Sequence, residues 1–118
     1  MANKSIIQEK SFDFSLKIIV FYKQMIDQKE FVISKQLLKC GTSIGANVEE
    51  ALAGQSKRDF TAKMSIASKE ARETKYWLRL IDQSKLIKND CSMLLKEIDE
   101  IINILTAIVK TSQENLKD

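Results

Sequence analysis

A chain of 118 residues with no proline and only three glycines has little with which to turn. A β-rich domain needs a tight turn after each short strand, and such turns draw on glycine, proline and asparagine for their backbone angles. Their scarcity predicts long helices joined by few, short connections. The length suits one domain, residues 1–118, with room for a single core. With 44% hydrophobic and 30% charged residues, the composition is neither that of a disordered chain nor that of a membrane protein.

Four segments carry helical periodicity. The first spans about 12–28, with Ser11 as a candidate N-cap. It has two apolar rows, Phe12/Leu16/Ile19/Ile26 and Phe14/Ile18/Phe21/Met25, so most of its circumference is expected to be buried. The residues Asp27-Gln28-Lys29 read as a plain connection. The second helix spans about 30–53 and stops at Gly54, a residue type common just past a helix end. The third spans about 57–83, with Ser56 and Asp59 spaced as a capping box that has Asp in place of Glu. The stretch 84–89 is a loop. The fourth spans about 90–112, where Leu94, Ile98, Ile101, Leu105 and Ile108 recur at alternating four- and three-residue spacing; residues 112–118 read as a frayed tail. That spacing is the signature of left-handed bundles, and short connections favour antiparallel neighbours. The expected fold is all-α, an antiparallel up-down four-helix bundle.

Helices two and three each have a second row beside their apolar one. On helix two, Ile33, Leu37, Gly41, Ile44, Val48 and Ala51 form the core row. Gln36, Cys40, Ser43, Asn47, Glu50 and Gly54 form a small, polar row next to it. Gly41 and Gly45 in mid-helix each cost about 1 kcal/mol relative to alanine, which close approach of a neighbouring helix would offset. On helix three, Phe60, Met64, Ala67, Ala71, Thr74, Leu78 and Ile81 form the core row, and Asp59, Lys63, Ile66, Glu70, Glu73 and Trp77 run beside it. The polar rows serve either an interface that selects its register or a solvated face laced with ion pairs such as Asp59–Lys63.

The net charge of +3 is unevenly spread. Residues 55–89 carry nine basic and four acidic groups, while residues 90–118 carry three and six. Arg58, Lys69, Arg72, Lys75 and Arg79 fall on one stripe of helix three and are candidates for binding phosphates, the arginines through their forked donors. A solvated charged face is the alternative. The isoelectric point of about 8.8 sits just under the range of dedicated nucleic-acid domains.

Catalysis has little to draw on. Without histidine there is no histidine-based triad and no Glu-x-x-His di-iron motif. The Gly41–Gly45 stretch lacks the lysine of a phosphate-binding loop. Glu50, Glu70 and Glu73 could meet across helices two and three as a carboxylate cation site, a remote reading beside ordinary pairing. Cys40 and Cys91 lie far apart and read as reduced, half-buried thiols. No stretch approaches the roughly 20 apolar residues of a membrane helix, and residues 1–7 do not read as a signal peptide. The expectation is a cytoplasmic, non-enzymatic protein with no cofactor, no metal and no small-molecule substrate.

The run Leu37-Leu38-Lys39-Cys40-Gly41-Thr42-Ser43-Ile44-Gly45-Ala46-Asn47-Val48-Glu49-Glu50-Ala51 resembles a signature of the bacterial four-helix bundle family also called the 23S rRNA intervening-sequence proteins. Ser56-Lys57-Arg58-Asp59-Phe60, Lys63–Ala67 and Lys69–Leu78 look like that family's second block. Lys39 and Cys40 stand where Arg and Ser are more usual. The resemblance implies a four-helix bundle assembling into a homopentameric ring with no known enzyme activity. Some members are encoded within rRNA genes, and a similar fold serves as the accessory protein of diversity-generating retroelements, where a basic ring binds nucleic acid. Two readings follow: a homo-oligomer that binds RNA through the stripe on helix three, or a protein-interaction scaffold that touches no nucleic acid.

Overall fold

A computed structural model of the protein describes residues 2–117, with side chains from residue 6 onward. Four α-helices run up and down: α1 (Ala2–Asp27), α2 (Ile33–Leu52), α3 (Lys57–Ser84) and α4 (Ser92–Leu116). The bundle measures 50 × 22 × 22 Å. Each helix packs on two neighbours, in the cyclic order α1–α2–α3–α4, and among the described residues the diagonal pairs make no close backbone approach. None of these helices is long and apolar enough to cross a membrane.

The core rows of α2, α3 and α4 lie where the periodicity puts them. Leu37, Ile44, Val48 and Ala51 face Met64, Ala67, Ala71, Leu78 and Ile81, with Leu94, Ile98, Ile101 and Leu105 closing the bundle. On α1 only one of the two rows goes inward. Phe14, Ile18, Phe21 and Met25 are buried, whereas Phe12, Leu16 and Ile19 stay 59%, 50% and 41% exposed, and Val20 beside them 56%. A helix at the corner of a square bundle has two neighbours and an outer face, and the second row occupies that outer face.

The helix ends differ from the expected ones for identifiable reasons. Ser11 does not cap α1. It lies two turns inside the helix, buried, and its hydroxyl donates to the Gln8 carbonyl at 3.2 Å. The helix continues back to Ala2 and brings Ile7 into the core. It closes in a Schellman turn: the Glu30 amide donates to the Met25 carbonyl and the Lys29 amide to that of Ile26, both at 2.9 Å, with Lys29 left-handed at φ 65°. Glu30 is therefore outside α2, and its carboxylate accepts the Ser34 amide at 2.7 Å from before the helix start. Asp90 does the same for α4, accepting the Ser92 amide and hydroxyl at 3.2 and 2.6 Å. These bonds hold the Asp90 carboxyl below its usual range.

The connection at Asp27–Lys29 is also more than a link. The Gln28 side-chain amide accepts the Lys88 backbone N–H at 2.8 Å through its oxygen and donates through its nitrogen to the Asn89 side-chain amide oxygen, tying the α1–α2 loop to the α3–α4 loop. At the opposite end, α4 runs on through residues 112–116 as regular helix, where the sequence suggested a frayed tail. Ser56 caps α3 as read, its hydroxyl accepting the Asp59 amide at 3.0 Å. Gly54 is not left-handed. Its lack of a side chain makes room: a Cβ there would sit 2.6 Å from an Asp59 carboxylate oxygen and 3.0 Å from the Ala51 carbonyl.

Candidate nucleic-acid interface

Helix α3 is 28 residues long, capped by Ser56 and held by α2 on one flank and α4 on the other. Its buried row of Thr61, Met64, Ala67, Ala71, Thr74, Leu78 and Ile81 fixes its rotation about its own axis. The basic stripe is thereby turned to the outside, on the side toward α4. Arg58, Lys69 and Arg79 are exposed, and among the described residues they make no hydrogen bond or ion pair. Arg72 donates one guanidinium N–H to the Thr106 hydroxyl of α4 at 2.9 Å, which steadies the head group while leaving donors facing solvent. Lys75 is drawn off. It pairs with Asp99 of α4 at 2.7 Å, so its charge is largely compensated within the chain.

One residue of this face escapes a reading based on charge alone. Tyr76 lies inside the stripe, four residues after Arg72 and three before Arg79, and it is 52% exposed. Its ring meets Trp77 edge to face, with centroids 5.2 Å apart and planes at 70°. Its helical angle, which falls midway between Lys69 and Arg72, was the signal available in the sequence.

The polar rows lie on the other flank of α3, along the outer edge of its contact with α2. On α2 the small side chains turn back to their own helix. Ser43 donates to the Lys39 carbonyl at 2.6 Å and Asn47 to that of Ser43 at 2.9 Å. Among the described residues one ion pair crosses between the two helices, Lys63 to Glu50 at 2.9 Å. That carboxylate raises the Lys63 ammonium above its ordinary value, with Asp59 contributing less. Asp59 engages the α3 cap through its amide. Trp77 donates its indole N–H to Glu73 one turn back at 3.1 Å. Among the described residues, no three of Glu50, Glu70, Glu73 and their like gather closely enough to hold a metal ion.

Cys40, in the middle of that row, and Cys91, at the start of α4, are fully buried rather than half-buried as the sequence suggested, because the α2 row turns in against Thr74 of α3 at that point and Cys91 joins the core cluster. Burial is the main reason that both thiols are pushed up to about 11. The charges of Glu73 and Glu70 add to this at Cys40, against a lowering contact from the Thr74 hydroxyl; Asp82 and Asp90 add to it at Cys91. Thiols held so firmly protonated are poor nucleophiles.

Gly41 and Gly45 face α1. A Cβ on Gly41 would lie 3.0 Å from two carbons of the Ile18 side chain, and one on Gly45 3.4 Å from the Ser11 carbonyl oxygen and the Ser15 hydroxyl. At the end of the bundle away from Gln28, a groove of about 820 Å³ opens between the start of α3 and the end of α4, lined in part by Leu52, Phe60, Ile104 and Ile108.

The protein is thus an up-down four-helix bundle with a basic, aromatic-bearing outer face on α3. The chain belongs to the 23S rRNA-intervening sequence protein family, whose sequence model matches residues 3–107. It is similar to a protein of unknown function from the S23 ribosomal protein family of Bacteroides thetaiotaomicron, known from a crystal structure. The two chains are 42% identical and superpose with a TM-score of 0.87 over 92% of this chain and 98% of that one. No match is found among curated proteins.

Proposed function

We propose that this chain is a non-enzymatic homo-oligomer, a pentameric ring as the family resemblance implies, that binds RNA or other nucleic acid through the basic face of α3. The observation that carries the reading is the set of exposed cations, Arg58, Lys69 and Arg79, left without partners among the described residues and joined by the half-free Arg72. What sets these cations apart is their arrangement: they share one exposed stripe of α3, whereas other exposed lysines without an ion pair among the described residues, such as Lys23, Lys35, Lys96 and Lys110, are spread over the other three helices. Support for self-association comes from the outer row of α1, because contiguous exposed apolar residues on a small domain mark a contact surface. A ring would repeat the modest stripe of one chain several times around it.

Fluorescence anisotropy with labelled rRNA fragments tests the nucleic-acid reading. Binding should weaken with salt, with a log–log slope of about −3 for four phosphate contacts on a single strand. Reversing Arg58, Arg72 and Arg79 to Glu together should abolish it. Binding that is absent, or indifferent to the triple reversal, sinks the proposal. The alternative, a protein-interaction scaffold that touches no nucleic acid, is favoured by the α1 row alone. It would be upheld by an intact oligomer that binds no RNA.

A further inference from the structure

We infer that Tyr76 is a base-stacking residue and that the α3 face takes single-stranded nucleic acid in preference to duplex. This rests on the nucleic-acid reading above and adds the strandedness of the ligand. A large aromatic side chain half in water costs solubility and adds little to a core, so its place in the middle of a cationic stripe calls for a cause. Lys69 precedes Tyr76 by two helical turns, Arg72 precedes it by one and Arg79 follows it by one. All three are exposed, as is the ring. The Trp77 indole, itself fixed by its hydrogen bond to Glu73, abuts Tyr76 edge to face and limits the ring's freedom while leaving a face open.

An aromatic face flanked by cations at one-turn intervals is the arrangement that binds an unpaired strand: phosphates meet the charges and an unstacked base covers the ring. A duplex keeps its bases stacked and offers the ring nothing. A single strand can follow α3 alone.

The experiment compares labelled oligo-uridine, oligo-thymidine and an RNA duplex of equal length, each with the native protein, Tyr76→Ala and Tyr76→Phe. The native protein should bind both single strands more tightly than the duplex. Tyr76→Ala should weaken single-strand binding about tenfold and leave duplex binding unchanged, while Tyr76→Phe, which keeps the ring, should bind as the native protein does. Trp77 emission, which senses the neighbouring ring, should change on adding oligo-uridine and not on adding duplex. The inference fails if duplex binds as well as single strand, or if Tyr76→Ala binds oligo-uridine normally; arginine-dependent binding would then stand without stacking. Absence of any binding overturns both readings together. Circular dichroism of Tyr76→Ala identical to the native spectrum separates lost stacking from lost folding.

Discussion

Gly41 and Gly45 lie one turn apart on the same face of α2, yet the structure gives them unequal work. A methyl group on Gly41 would press on Ile18 at 3.0 Å, and Ile18 is wholly buried, so α1 or its side chain must shift. Such overpacking costs about 1–3 kcal/mol, against about 1 kcal/mol gained from the better helix propensity of alanine. At Gly45 the new methyl meets only ordinary contacts at 3.4 Å. Gly41→Ala should therefore lower stability by about 1 kcal/mol, while Gly45→Ala should leave it unchanged or raise it by up to about 1 kcal/mol. Urea unfolding of the two variants checks this, and equal effects would contradict the geometry. The shared face was legible from the four-residue spacing. The asymmetry was not, because it depends on which side chain of α1 stands opposite. Tyr76 was likewise visible as a position on the stripe, but nothing in the sequence told that its ring stays half in water or that α4 would take up Lys75.

On the scale of the element, α1 is the most instructive helix. Its two apolar rows are equally good by periodicity, and only assembly with α2 and α4 decides that Phe14, Ile18, Phe21 and Met25 go in. The same ambiguity hid its start. Serine at position 11 carries the mark of an N-cap, but a hydroxyl bonded to the carbonyl of Gln8 is equally satisfied inside a helix. The rows of α2, α3 and α4, by contrast, each had one clearly apolar side and were read correctly. If the outer row of α1 is covered by another copy, Leu16→Glu with Ile19→Glu should shift the protein toward monomer by light scattering while its helical circular dichroism is retained. An oligomer of unchanged mass would assign assembly to other surfaces. Truncating Ile18 to alanine on the inner face should instead cost about 2–5 kcal/mol of folding stability, as buried isoleucines generally do.

The whole molecule can be examined through its two buried thiols, one under the α2–α3 contact and one where α4 begins. Both are held protonated up to about 11, above their ordinary value of 9.0. The folded state therefore binds these protons more tightly than the unfolded state does. Their contribution is complete below pH 9 and is lost as the pH rises through 11. The denaturant midpoint of the native protein should fall over that window more steeply than that of a Cys40→Ala, Cys91→Ala variant, in which lysines and tyrosines titrate as before. Parallel curves would mean that the thiols are less enclosed than the structure has them. The two-sided character of α1 has one more consequence, for how such a chain can change over generations. In a mutational scan selected on folding alone, positions 12, 16, 19 and 20 should accept nearly any helix-forming residue, while 14, 18, 21 and 25 accept almost none. Natural sequences are filtered on everything the molecule does, so a library scored both ways would show, position by position, which constraints on this helix come from being folded and which come from being used.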